Sequence, residues 1–233
     1  MKMLFGAVLL ALAAPALAQA PVRPAEDIAR DAARKPADMV AFAGIKPGSK
    51  VADMIPGGGY FTRIFAAAVG PTGHVTAIIP EAAEAAYPDQ SKAVRALATT
   101  GYPNVSVVGH VTDPSLSGTL DVFWTAQNYH DLHNSLPPEA VVGFDMAVFA
   151  ALKKGGVFVI VDHAAAAGSG LSATKTLHRI DPAVVKAEVV SAGFVFDGES
   201  KVLANPADPH TAIVFDPSIR GKTDQFVYRF RKP

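Results

Sequence analysis

Residues 51–62 read VADMIPGGGYFT: an apolar run with one acid, Asp53, then three glycines, Gly57, Gly58 and Gly59, then the start of a helix-like segment. Consecutive glycines after a buried strand let backbone N–H groups approach a ligand with no side chain in between. In open α/β sheets such strand-to-helix turns are where ligands bind. The loop is not a phosphate-binding P-loop, because Tyr60-Phe61 stands where Lys-Ser/Thr is required. The dinucleotide fingerprint also fails, at Thr62, where its third glycine belongs.

Outward from this loop the chain alternates strands and helices. Val51–Ile55 and His74–Ile79 read as buried strands joined by a helix over Tyr60–Val69 that ends at Gly70-Pro71-Thr72-Gly73, a parallel crossover of about 30 residues. A helix over 91–100, strands over 104–108 and 120–125, a helix from Ser135 to about Leu152 and a strand over 157–161 continue the alternation. Ser135 is expected to cap its helix. Glu26–Phe42 has helical spacing broken at Pro36. After the helix 182–192, the segments 194–203 and 225–231 (QFVYRFR, strictly alternating) read as an antiparallel edge pair. The expected fold is α/β, an open and mostly parallel sheet with helices on both faces.

Composition narrows the function. Half of the 233 residues are hydrophobic, and Lys plus Arg (21) equals Asp plus Glu (21), with no basic run to mark a nucleic-acid partner. The absence of cysteine excludes thiol nucleophiles and thiolate metal sites. MKMLFGAVLLALAAPALAQA, residues 1–20, has the Lys2 charge, short apolar stretch and small-x-small ends (Ala16 to Ala18, Ala18 to Ala20) of a cleaved leader. It is shorter in its apolar part than the roughly 20 residues of a span. We therefore expect one domain over 21–233, periplasmic or secreted, with no stable membrane insertion after cleavage.

VADMIPGGGYFT, HVTAII, LDVFWTAQNYHDLH and LKKGGVFVIVDH, in this order from Ile45 to His163, resemble the class I S-adenosylmethionine-dependent methyltransferases. The tail, LHRIDPAVVKAEVVSAGF, NPADPH and FDPSIRGKTDQFVYRFRKP, is similar to a subgroup of exported bacterial members. The resemblance implies a Rossmann-like, seven-stranded sheet with an antiparallel last strand, S-adenosylmethionine as cofactor and methyl transfer to a small molecule. It implies that Asp53 and the loop Gly57–Gly59 hold the cofactor's amino-acid end. Ile55 stands at a position that is usually glycine, and Ile79 where an acid usually holds the ribose. Glu81 is the nearest carboxylate to the ribose position, and Asp113 lies three residues past His110, the position near adenine.

Gln127, Asn128, Tyr129, His130 and Asp131 follow the fourth strand at the carboxyl edge, beside the proposed cofactor. Asn128 is expected to contact the cofactor, Tyr129 to wall the pocket, and His130 with Asp131 to supply a base. His163, His178, Arg179 and His210 are candidates for substrate contact. A metal site built from His130, Asp131 and His133, joined by His163, is the rival chemistry; none is expected. A second function class is an exported binding protein on this fold that has lost or changed its cofactor.

Overall fold

The computed structural model describes residues 21–233; the leader expected over residues 1–20 lies outside them. Seven strands, β1 (Lys50–Met54), β2 (His74–Ile78), β3 (Val105–Val108), β4 (Leu120–Ala126), β5 (Leu152–His163), β6 (Val195–Ser200) and β7 (Gln225–Arg231), form one sheet in the order β3-β2-β1-β4-β5-β7-β6. The pairs β1·β2, β1·β4, β2·β3 and β4·β5 are parallel, while β7 runs antiparallel to both β5 and β6. The strand order reverses between β1 and β4, so the glycine loop after β1 and the segment after β4 face each other across the switch point. No helix among the described residues is long and apolar enough to cross a membrane.

Strand alternation splits the core between the two faces. Val51, Val122, Trp124, Val157, Val159 and Val161 point to one, under the helices Pro36–Ala43, Tyr60–Val69 and Pro88–Arg95. Ala52, Phe123, Phe158, Ile160 and Phe230 point to the other, under Pro138–Ala151 and Pro182–Ser191. The same alternation carries past the apolar run of β5, placing Asp162 on the second face and His163 on the first. Trp124 anchors the first face through Phe61 and Phe65, with ring centroids 4.7 and 5.2 Å away.

Differences from the sequence reading have local causes. Residues 129–135, assigned no element from the sequence, form the helix Tyr129–Ser135, and Ser135 ends it instead of capping the next one. That next helix, Pro138–Ala151, starts behind Pro137 with no side-chain cap, the prolines setting its first turn. The expected turn Lys153-Lys-Gly-Gly lies inside the long β5 run, where Gly155 takes φ 78° and shifts the register against β4. The N-terminal helix divides into Ala25–Ile28, Asp31–Arg34 and Pro36–Ala43, broken at Lys35 in a left-handed conformation.

Candidate functional site

Asp53, the penultimate residue of β1, is buried, and its Oδ2 accepts from the Thr62 hydroxyl at 2.7 Å. Burial pushes its carboxyl up to about 7, with Thr62 and the nearby Arg34 guanidinium pulling the other way. Asp53 thus ties the strand to the first turn of the helix Tyr60–Val69, and the glycine loop is stretched between these fixed ends. Gly57 and Gly59 have φ of 56° and 84°, and a Cβ on Gly59 would meet Arg63, Leu97 and Val94 at 3.2–3.3 Å. A Cβ on Gly58 would meet open space, so its backbone is free to face a ligand.

Ile55 sits in the left-handed region at φ 51°, a position costly for a β-branched residue. The backbone there adopts the conformation that suits glycine while carrying a β-branched side chain. An ordinary half-buried Ile→Gly change loses packing and stiffness together. Here, relief of roughly 1–2 kcal/mol of strain offsets most of that loss. Urea unfolding of Ile55→Gly is expected to show a stability within about 1 kcal/mol of the parent; a loss above about 3 kcal/mol would show the position to be unstrained.

After β4, Gln127 turns the chain with φ 64° and its N–H bonds to Val161. Asn128 spends its amide on the carbonyls of Met54 and Ile55 (3.3 and 3.2 Å), clamping the glycine loop from the opposite side of the switch point. The helix Tyr129–Ser135 then delivers His130 onto Asp162. His130 Nδ1 lies 2.8 Å from Asp162 Oδ1, and Asp162 also accepts from the backbone N–H groups of His130 and His163. Burial works against a charge on His130, but Asp162 and then Asp131 outweigh it and raise the imidazole's pKa. Burial would raise Asp162; His130 and His163 more than offset this and hold it low. With Nδ1 committed to Asp162, His130 turns Nε2 toward His178 Nδ1 (3.3 Å) and Asp131 Oδ1 (3.4 Å).

The structure joins Asn128 to the loop that follows Asp53 and, two residues on, gathers His130, Asp131 and His178, with buried His163 beside His130. The His163 ring centroid is 6.3 Å from that of His130; its Nδ1 meets the Thr223 hydroxyl, and burial pushes its pKa down to about 4. Other expected site residues are committed elsewhere. Tyr129 is not a pocket wall: it is fully buried on the second face and donates to Asp145 at 2.8 Å. His133 turns to Glu188 (3.1 Å), away from His130. Arg179 is fully buried and cannot meet a substrate, because its guanidinium is bound to Asp208 and to the carbonyls of Ala164 and Ala212. His210 pairs with Asp224 at 3.0 Å in the 205–222 loop. Glu81 opens the helix Glu81–Ala86 on the exposed side, and Asp113 caps its own 3-10 turn through Ser115.

Two residues escaped the sequence reading. Asp162 was overshadowed by its neighbour His163, although a carboxylate following Phe158 and Ile160 in the same alternation is the anomaly to notice. Arg34 stacks on Tyr60 and Phe61, its guanidinium carbon 4.7 and 4.8 Å from their ring centroids, and burial pushes its pKa down to about 10. Its spacing from Arg30, one turn earlier, was the available signal. Arg34, Ala33, Phe61, Val161, Leu203 and Gln225 line a cleft of only about 10 Å³, enough for a water. A larger hollow of about 160 Å³ between the helix Pro88–Arg95 and β3 contains none of the clustered polar residues.

No family model and no curated protein matches the sequence. Solved structures do match in fold. A SAM-dependent methyltransferase from Aquifex aeolicus superposes with TM-score 0.61 at 19% identity, over 88% of this chain and 98% of that one. An arsenic(III) S-adenosylmethionine methyltransferase from Chlamydomonas reinhardtii gives 0.52 at 15%, over 82% and 64%. The cyclase SpnF gives 0.60 at 15%, over 87% and 81%. The chain therefore has the seven-stranded Rossmann-like fold of the S-adenosylmethionine-dependent methyltransferases, a fold that also carries a protein described as a cyclase.

Proposed function

We propose that this chain is an S-adenosylmethionine-dependent methyltransferase for a small-molecule acceptor. The observation that carries the reading is the paired arrangement at the switch point: buried Asp53 behind a glycine loop clamped by Asn128 and, two residues after Asn128, His130 held by Asp162. The residues fit the cofactor at its amino-acid end. Asp53, the backbone of Gly57–Gly59 and Arg34, which has no ion pair among the described residues, suit an ammonium and a carboxylate. At the ribose end the fit fails, since Ile79 is buried and apolar and Glu81 is exposed. Loss of that acid forgoes charge-assisted hydrogen bonds worth roughly 1.5–3 kcal/mol each, so affinity should be modest. The cleft beside Arg34 must also widen, which outward movement of the helices over 25–43 would accomplish.

When bound, the cofactor supplies an electrophilic sulfonium methyl. This chain's own contribution is to hold the acceptor in line and to present the His130 Nε2 lone pair, fixed by Asp162, to the acceptor's proton. Calorimetry with S-adenosylmethionine and S-adenosylhomocysteine tests the reading: binding in the micromolar to millimolar range is expected, with a matching rise in Tm. No heat and no thermal shift at millimolar ligand would refute it.

One observation favours a second reading, a binding protein that has changed its ligand. Ile55 in a glycine conformation and Ile79 in place of the acid are both losses at the cofactor's expected seat. Mass spectrometry of ligands that co-purify separates the two: S-adenosylhomocysteine supports the transferase, while a different nucleoside-like or apolar ligand supports the binding protein.

A further inference from the structure

We propose that His130, Asp131 and His178 form a mononuclear zinc site with an open coordination position. Three ligand atoms converge there: His130 Nε2, His178 Nδ1 and Asp131 Oδ1, separated by 3.3, 3.4 and 3.6 Å. Ligands about 2.0–2.1 Å from a tetrahedral zinc stand about 3.3–3.4 Å apart, whereas adjacent octahedral ligands at that distance stand about 2.9–3.0 Å apart. Two edges of the observed triangle match a tetrahedral face and the third is about 0.2 Å longer, all well above the octahedral spacing.

The surroundings complete the case. Asp162 fixes the His130 tautomer by accepting a hydrogen bond from Nδ1–H, leaving the Nε2 lone pair aimed at the triangle; a carboxylate behind a histidine is the usual support of a metal ligand. Asn134 donates to the Asp131 oxygen (3.1 Å) and orients it. His178 is held at φ 53°, a conformation costly for most residues but one in which histidine is enriched, with its ring against Phe215 at 5.0 Å. Without a metal the same edges are one hydrogen bond between the imidazoles and two imidazole–carboxylate contacts to Asp131; a zinc ion would bind all three atoms at once. The side chains of Asp131 and His178 remain 46% and 30% exposed, so the fourth position opens to solvent. Three protein ligands with an open position is the pattern of a catalytic zinc, which lowers the pKa of a bound water or acceptor heteroatom. The metal would then use the same Nε2 lone pair that otherwise takes a proton.

The experiment is a zinc titration of untagged, chelator-stripped protein by calorimetry, with cobalt(II) substitution read by visible absorption. One equivalent bound at micromolar Kd or tighter, with the intense bands of tetrahedral cobalt, is expected. His178→Asn, which tolerates the left-handed backbone, and Asp131→Ala should each weaken zinc by about 100-fold, and Asp162→Asn by about 10- to 100-fold. His110→Ala and His210→Ala should leave Kd unchanged. Binding below about a tenth of an equivalent, or an unchanged Kd in His178→Asn, overturns the proposal. The titration needs no methyl donor, so its failure is separate from failure of the methyltransferase reading.

Discussion

Replacing Arg179 with Ala is expected to cost about 3–5 kcal/mol of stability, the usual penalty for stranding one partner of a buried ion pair. Both Arg179 and Asp208 are wholly shielded from solvent, and the guanidinium donates to Asp208 at 2.8 and 3.2 Å as well as to Ala164 and Ala212. Burial would raise the Asp208 carboxyl, but the N–H groups of Asp224 and His210, and then Arg179, hold it below the ordinary carboxylate range. Its stabilisation is therefore present above the unfolded pKa and lost as pH falls through the lower folded one. Denaturant unfolding should show the loss, with a Tm drop on the order of 10 °C. Arg179→Lys should recover little of it, because an ammonium cannot reproduce the fork to four acceptors. If Arg179→Ala is within about 1 kcal/mol of the parent, the bonds from Arg179 to Asp208 and Ala212 do not anchor the 205–222 loop.

The opposite sign is expected at Asp145. This residue is fully buried in the helix Pro138–Ala151, with Oδ2 near Tyr129 and Oδ1 unpartnered. The single Tyr129 proton faces two carboxylates, Asp145 at 2.8 Å and Glu188 at 3.2 Å. Burial, with Glu188 adding to it, pushes Asp145 up to about 8 from an ordinary 3.8. Between those values the folded protein binds more protons than the unfolded one. Stability is thus greatest below about pH 4 for this group and declines as pH rises toward 8. Asp145→Asn removes the titration and should stabilise by about 3 kcal/mol at pH 8. This is less than the roughly 5 kcal/mol of the whole shift, because the amide brings N–H groups that need partners. Urea unfolding at pH 5 and pH 8 should show the gain growing with pH; a variant weaker than the parent at both would refute it.

Most of the sheet was legible because its signals are local. The strand-turn-helix over 51–69, the β7 alternation and the helix from Pro182 all rest on short-range spacing. The site was legible in part. Asp53, the glycines and His130 announce themselves by position relative to predicted strands. The roles of Tyr129, His133 and Arg179 did not, because they depend on partners 16 to 59 residues away: Asp145, Glu188 and Asp208. His130, His178 and Asp162 are likewise joined only by the packing of separate elements, which no spacing rule expresses.

The position of β7 has a consequence for biosynthesis. Though it is the last strand to leave the ribosome, it does not trim the edge of the sheet; it lies between β5 and β6 and bonds to both. Until residues 225–231 have emerged, β5 keeps one flank unpaired and β6 has no neighbour. The sheet therefore cannot be completed until its seventh strand is made, and β5 and β6 present unpaired edges throughout that interval.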